Sequence, residues 1–217
     1  DNEICTEELI PFKWEEFVRS SCDDRWAFTT RSTPLNYGSV AALAAASRAL
    51  KGYNDTLALE CINTARRVWN EEHRHEPDIF RYGNTTGGPL ELEEINAAVE
   101  LLICTRDAAY VNRIDQLMPY IKEQFARCVI PAVLAIPYMD EEYKNEIAGF
   151  VAKYKDQLDS YSKSNPFGIL ITAGGWAGNG QVIHEAVACY LLNKYFPQLI
   201  GPEYVYRGLH YIYGFHP

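Results

Sequence analysis

Apolar residues recur at helical spacing along almost the whole chain, which leaves little of it for a sheet. Tyr37 to Leu50 reads YGSVAALAAASRAL. It is rich in alanine, the best helix former, and Val40, Leu43 and Leu50 recur at helical spacing. Asp55 to about Trp69 puts Leu57, Ala58, Cys61, Ala65, Val68 and Trp69 on one side. Asp55 is the expected N-cap, because its carboxylate can accept the free amide protons of the first turn. Further helices are expected over about Leu92 to Cys104, Ala108 to Phe125, Asp140 to Leu158, Gln181 to Tyr195 and Glu203 to Tyr213, with a short one over Glu7 to Ser20. Gly168 to Thr172, GILIT, is the one good β run. A single strand cannot make a sheet, so the expected fold is all-α.

Three times a helix ends in a short polar turn and the next helix soon begins: residues 48–59, 101–111 and 190–205. Such turns join antiparallel helices. Repeated hairpins bury a continuous core only by stacking, as a solenoid or a closed helical toroid. The 217 residues are read as one all-α domain over 1–217. Hydrophobic residues are 47% and charged residues 23%, ordinary for a globular chain. No apolar run approaches about 18 residues, so no membrane-spanning helix is expected. A net charge of -9 argues against a nucleic-acid partner, since tracking phosphates needs a basic surface. Asp1-Asn2-Glu3 opens no basic or apolar leader, so a signal peptide is expected to be absent or already removed.

None of the six cysteines forms a CxxC pair. Cys61, Cys104 and Cys189 read as small buried hydrophobes, and a Cys5–Cys22 disulfide is left open by spacing alone. Two long irregular segments stand out, Glu72 to Leu92 and Ser162 to Gly180, both with glycine clusters beside aromatic and polar groups. Connections of that length are uncommon unless functional. In the second, Trp176 sits in GGWAGNG. Its indole is either an open platform for a sugar ring or a side chain packed back on the following helix. The first carries Arg81, Tyr82, Asn84, Thr85 and Thr86, with His73 and His75 upstream. Those two histidines lack the further ligands that zinc needs and read as solvated. Glu91, Glu93 and Glu94 precede a helix, where acidic residues favour the macrodipole, or where an adjacent pair could hold Ca²⁺. His184 reads as a core or groove histidine, and His210 and His216 are ambiguous. Standard catalytic signatures such as GxSxG, HExxH and the P-loop are missing. The sequons at Asn54 and Asn84 are short, frequent patterns.

Four segments, in order, resemble the catalytic domain of glycoside hydrolase family 9, the endoglucanase family with an (α/α)6 barrel. They are PLNYGSVAALAAASRAL (34–50), GGPLELEEINAAVELLICTRD (87–107), GGWAGNGQVIH (174–184) and RGLHYIYGFHP (207–217). The resemblance implies an all-α chain forming part of such a barrel and an inverting hydrolase acting on β-1,4-glucan or a related polysaccharide. It implies Trp176 as a wall of the sugar cleft, with Arg81 and Tyr82 as further cleft residues. It implies no required cofactor, and a structural Ca²⁺ on Glu93 and Glu94 as in some members. Localisation outside the cytoplasm, secreted or periplasmic, follows from the resemblance alone. Members are roughly twice this length and carry an aspartate pair in a D-A-G-D motif and a general-acid glutamate after their N-P. Neither is found here, so no residue is assigned a catalytic role. Asn96 replaces the tryptophan of the family's WAAAELY. Two alternatives stand beside this reading: a non-catalytic helical carbohydrate-binding or scaffold protein, and another (α/α) toroid hydrolase or lyase using carboxylates such as Asp78 or Glu185.

Overall fold

The computed structural model describes residues 30–80, 87–170 and 178–215. Those residues are helical with no strand among them. The helices are α1 (Thr33–Leu50), α2 (Asp55–Glu72), α3 (Leu90–Thr105), α4 (Ala108–Gln116), α5 (Met118–Glu123), α6 (Phe125–Ala135), α7 (Glu141–Ser164), α8 (Gly178–Tyr195) and α9 (Pro202–Tyr213), with a 3₁₀ turn at Ile136–Tyr138. The expected helix over Glu7 to Ser20, and Cys5 and Cys22, lie outside the described residues.

All three hairpin turns read from the sequence are present. The first helix starts earlier than expected, at Thr33, because Pro34 fits a first turn whose amides have no helical partner. The N-cap of α2 is Asn54 rather than Asp55: Asn54 Oδ1 accepts from Leu57 N at 3.1 Å, and Asp55 instead accepts from Gly52 N at 2.8 Å to brace the turn. The expected helix over 108–125 is broken at Leu117, whose amide closes on the carbonyls of Arg113 and Ile114. Pro119 then starts α5 in a first-turn position, where its missing N–H costs nothing. The fifth expected helix runs past Leu158 to Ser164, capped at its start by Asp140 accepting from Tyr143 N at 2.9 Å. The β run at 168–172 is not a strand over its described residues 168–170, and residues 171–172 lie outside them.

Helix α6 was not expected. Its sequence, FARCVIPAVLA, is apolar apart from the exposed Arg127 and holds Pro131, a residue that removes one helical hydrogen bond. Burial overrides that cost: Cys128, Val129, Ala132, Val133 and Ala135 are all fully buried.

The helices form two layers. α1, α3, α6 and α8 pack side by side in that order, and α2, α4–α5, α7 and α9 lie against them from outside. α3 is buried on most of its circumference, with Ile95, Ala97, Ala98, Val99, Leu101 and Leu102 inaccessible. α7 and α9 instead keep one solvent face, as outer amphipathic helices do. Each hairpin reverses direction, so the alternation brings the N-termini of all four inner helices to one end. The described residues 73–80 and 87–89, between α2 and α3, and 165–170, after α7, are at that end.

The far edge of α8 is apolar and uncovered. Ile183, Val187 and Tyr190 recur there at i, i+4 and i+7, and Leu209 of α9 is a further exposed apolar side chain. Inner-layer side chains without a neighbour associate with whatever apolar surface they meet. The chain is predicted to self-associate on gel filtration with light scattering, and Val187→Glu combined with Leu209→Glu to shift it toward monomer. An unchanged profile would remove this edge as the contact surface.

Candidate functional site

The N-terminal end of the inner layer is organised by two buried carboxylates. Glu94, one turn into α3, is 4% exposed. Arg113 of α4 grips it in bidentate fashion, Nε to Oε1 at 2.6 Å and Nη2 to Oε2 at 2.9 Å. His73, just after α2, adds Nε2 to Oε1 at 2.9 Å. The other nitrogen of His73, Nδ1, lies 2.8 Å from the Trp69 carbonyl. Both ring nitrogens therefore face acceptors, which only the doubly protonated imidazolium satisfies as donor twice. The ring stacks on Trp69 with centroids 4.2 Å apart and leans on Tyr37 at 5.6 Å, a favourable seat for a cation.

The electrostatics agree with the geometry. The hydrogen bond to Glu94 raises the His73 pKa, burial opposes it, and the Trp69 carbonyl adds to the rise, leaving it above the usual 6.5. For Glu94, burial alone would raise the carboxyl, but His73 and Arg113 outweigh it and hold it below 4.5. The neighbouring Tyr37 hydroxyl is pushed up by burial and then by Glu94.

Glu72, the last residue of α2, ties the loop to α1. It accepts from Thr33 Oγ1 and from Asn36 Nδ2, each at 2.6 Å. Thr33 in turn holds Asp78 twice: Thr33 N donates to the Asp78 carbonyl at 2.8 Å, and Asp78 N donates to Thr33 Oγ1 at 3.0 Å. The loop's other end is held by glycines. Gly87 has φ +88 and lies so close to Pro34 and Leu35 that a Cβ would fall 2.7 Å from Leu35 N. Gly88 N donates to Glu93 Oε1 at 3.0 Å, and a Cβ there would overlap that carboxylate. Residues 81–86 are thus bracketed by two anchored ends. Next to Gly88, Gly38, Ala41 and Ala45 of α1, Glu93 and Asn96 of α3 and Pro131 of α6 line a cavity of about 370 Å³ between the inner helices.

Arg81, Tyr82 and Trp176 lie outside the described residues. Glu93 and Glu94 are described, and they diverge. Glu93 turns to Gly88 and the cavity, while both oxygens of Glu94 are taken by cationic side chains. A carboxylate saturated by a guanidinium and an imidazolium does not fit a Ca²⁺ ligand, and no step is derived through that ion. His73 is not an ordinary solvated side chain, because Glu94 and Trp69 use both of its nitrogens. His184 is exposed rather than a core or groove residue, and His210 stacks on Tyr206 at 5.9 Å. Cys61, Cys128 and Cys189 are buried and Cys104 is half-buried, donating to the Ala44 carbonyl at 3.1 Å. Burial pushes the Cys128 and Cys189 thiols up to about 12, so they are inert hydrophobes. Glu185 on α8 is half-buried, and burial pushes its carboxyl up to about 7 against a bond from the Leu170 amide. Thr33, Asn36, Glu72 and Arg113 were not singled out in the sequence. Their one visible signal is polar residues placed where an apolar stripe should continue.

The sequence model described as Glycosyl hydrolase family 9 matches residues 12–217. No curated protein matches the chain. Among solved structures, a metagenome-derived family 9 endoglucanase superposes with TM-score 0.68 at 18% identity, covering 86% of this chain and 37% of its own. The cellulase Cel9M of C. cellulolyticum gives 0.66 at 19%, with 87% and 45% covered. A thermostable endoglucanase from Alicyclobacillus acidocaldarius gives 0.67 at 20%, with 86% and 38% covered. The chain therefore spans less than half the length of these structures, and at such identities the likeness establishes the fold: the two helical layers are part of an (α/α)6 barrel.

The cluster fixes a pH dependence. His73, raised above 6.5, contributes stability fully below 6.5 and loses it as pH climbs through its folded value. Glu94, lowered below 4.5, contributes above 4.5 and loses it as pH falls through its folded value. Both contributions are complete together between pH 4.5 and 6.5. Thermal melts of His73→Gln are predicted to lie closest to wild type in alkaline buffer and furthest below it within that window. A difference independent of pH would contradict a charged His73.

Proposed function

This chain belongs to glycosyl hydrolase family 9, and on that premise we propose that it is a segment of a β-1,4-glucan hydrolase which builds the substrate-facing end of the barrel. The observation that carries this reading is that the connection from α2 to α3 is anchored at both described ends, through Asp78 and through Gly87 and Gly88, at the N-terminal end of the inner helices beside an open cavity. A polysaccharide cleft needs such walls: rigid anchors presenting aromatic and polar side chains to successive rings. Trp176 is the sugar platform of this proposal, and Arg81 and Tyr82 add polar contacts from the clamped loop. The natural site of action is outside the cytoplasm, where the polymer is.

Inverting hydrolysis needs one carboxylic acid to protonate the leaving oxygen and one carboxylate to activate water from the opposite face. Glu94 can do neither, because two cations hold it ionised and occupy its lone pairs. Glu72 is likewise spent on Thr33 and Asn36. In this proposal the two catalytic carboxylates belong to parts of the barrel beyond these residues, and 1–217 is an incomplete barrel. A second reading draws on Glu185 of α8, whose carboxyl burial pushes up to about 7. A carboxylic acid kept protonated near pH 7 is what a general acid requires, and another type of toroid enzyme could use it.

Calorimetry with cellopentaose discriminates. The 217-residue chain is predicted to bind it without releasing reducing sugar, and Trp176→Ala to lose about 1–3 kcal/mol, the scale for one stacked aromatic. Unchanged affinity would remove Trp176 from the site. Turnover by these residues alone, abolished in Glu185→Gln, would install the second reading.

A further inference from the structure

A second recess lies at the same end of the molecule but on its outer layer, between the C-terminal ends of α7 and α9. It has a volume of about 260 Å³ and is walled by Ser162, Phe167, Arg207, His210, Tyr211 and Phe215. That is below the roughly 300 Å³ at which drug-sized sites begin, and it suits one ring rather than an extended chain. The walls are aromatic on two sides. Phe167 and Tyr211 meet edge to face with centroids 5.4 Å apart. Phe215 stands 68% exposed beyond the left-handed turn at Gly214, edge-on to His210 at 6.2 Å. The floor depends on Gly168, whose φ is +64. A Cβ there would lie 3.2 Å from Ser162 Oγ and 3.4 Å from Arg207 Cδ.

The charge in this recess centres on Arg207. Its guanidinium lies over the Tyr204 ring at 4.7 Å, and its Nη1 is shielded from water with no hydrogen-bond partner among the described residues. Asp159 on α7 is close enough to feel the Arg207 charge, but it makes its hydrogen bonds with Lys155 and the Tyr204 hydroxyl. A buried, unpaired charged donor is costly, and an acceptor that reached it would relieve that cost. In a chain of net charge -9, this is a local positive patch faced with aromatic rings.

We propose that this recess is a binding site for a pyranose ring bearing a carboxylate, a hexuronate unit. The apolar C–H face of the ring lies on Phe215 and Tyr211. A rotation of the terminal guanidinium turns its unpaired nitrogen toward the sugar carboxylate, to which an arginine fork binds in bidentate geometry. Ser162 and His210 reach the ring hydroxyls. The proposal does not rest on the hydrolase reading, because binding here needs no catalytic carboxylate. Its consequence is selectivity for polysaccharides that carry acidic sugars.

Methyl β-glucuronide and methyl β-glucoside, titrated into the 217-residue chain and followed by amide NMR shifts, test the proposal. The glucuronide is expected to bind with shifts confined to 162–168 and 207–215, and the glucoside to bind about 10- to 100-fold more weakly, the range for losing one charge-assisted contact. Arg207→Gln should erase that preference, and Phe215→Ala, at an exposed position that the fold does not need, should weaken both sugars. Equal affinity for the two sugars would overturn the proposal, as would glucuronide binding that survives Arg207→Gln. Acetate matching glucuronide in affinity would reduce the site to a plain anion contact and overturn the sugar assignment.

Discussion

The N-terminal end of the inner helices depends on one buried carboxylate. Glu94 sits on an inner helix, and its two cations come from outer elements, Arg113 from α4 and His73 from the end of α2. A buried charge is tolerated only when paired, and removing one partner of such a set costs about 3–5 kcal/mol. The constraint is therefore geometric as well as energetic. It sets how far α4 and the end of α2 can move relative to α3. It orients the His73 ring against Trp69, and so fixes where the chain leaves α2.

From that exit the rest of the loop follows. Glu72, one residue before His73, holds Thr33 and Asn36, and Thr33 holds Asp78 through two hydrogen bonds. The chain re-enters at Gly87 and Gly88, where the absence of a side chain lets the backbone lie against Pro34 and Glu93. Charge burial, local hydrogen bonding and glycine geometry thus combine to anchor both described ends of the connection from α2 to α3, at Asp78 and at Gly87 and Gly88.

Much of the fold was legible because it rests on local rules. Alanine-rich α1, the amphipathic stripe of α2 and the polar turns between hairpins announce themselves at short range, and their sum already excluded a sheet. Helix α6 was not legible, because its one charged residue, Arg127, marks a polar face too weakly in a short apolar run and Pro131 argues against a helix. Its stability comes from the inner helices and α7 packed against it, which a local reading does not contain. The site was half legible. Glu93 and Glu94 were noticed as an acidic pair, yet adjacent residues on a helix point about 100° apart, and the two serve different partners. Glu94's partners lie 19 and 21 positions away, and Thr33 and Glu72 meet across 39. No spacing rule links residues at such distances, so their meeting becomes visible only once the layers are assembled.

Amide hydrogen exchange on Glu94→Gln, compared with wild type, tests the central claim most directly. The glutamine keeps the size and a carbonyl acceptor but loses the charge that gathers Arg113 and His73. The account predicts faster exchange at the amides that the cluster organises, Thr33, Asp78 and Gly88 above all, with α8 and α9 unchanged. Protection at those three amides equal to wild type would contradict it, and would mean that the loop is held without Glu94.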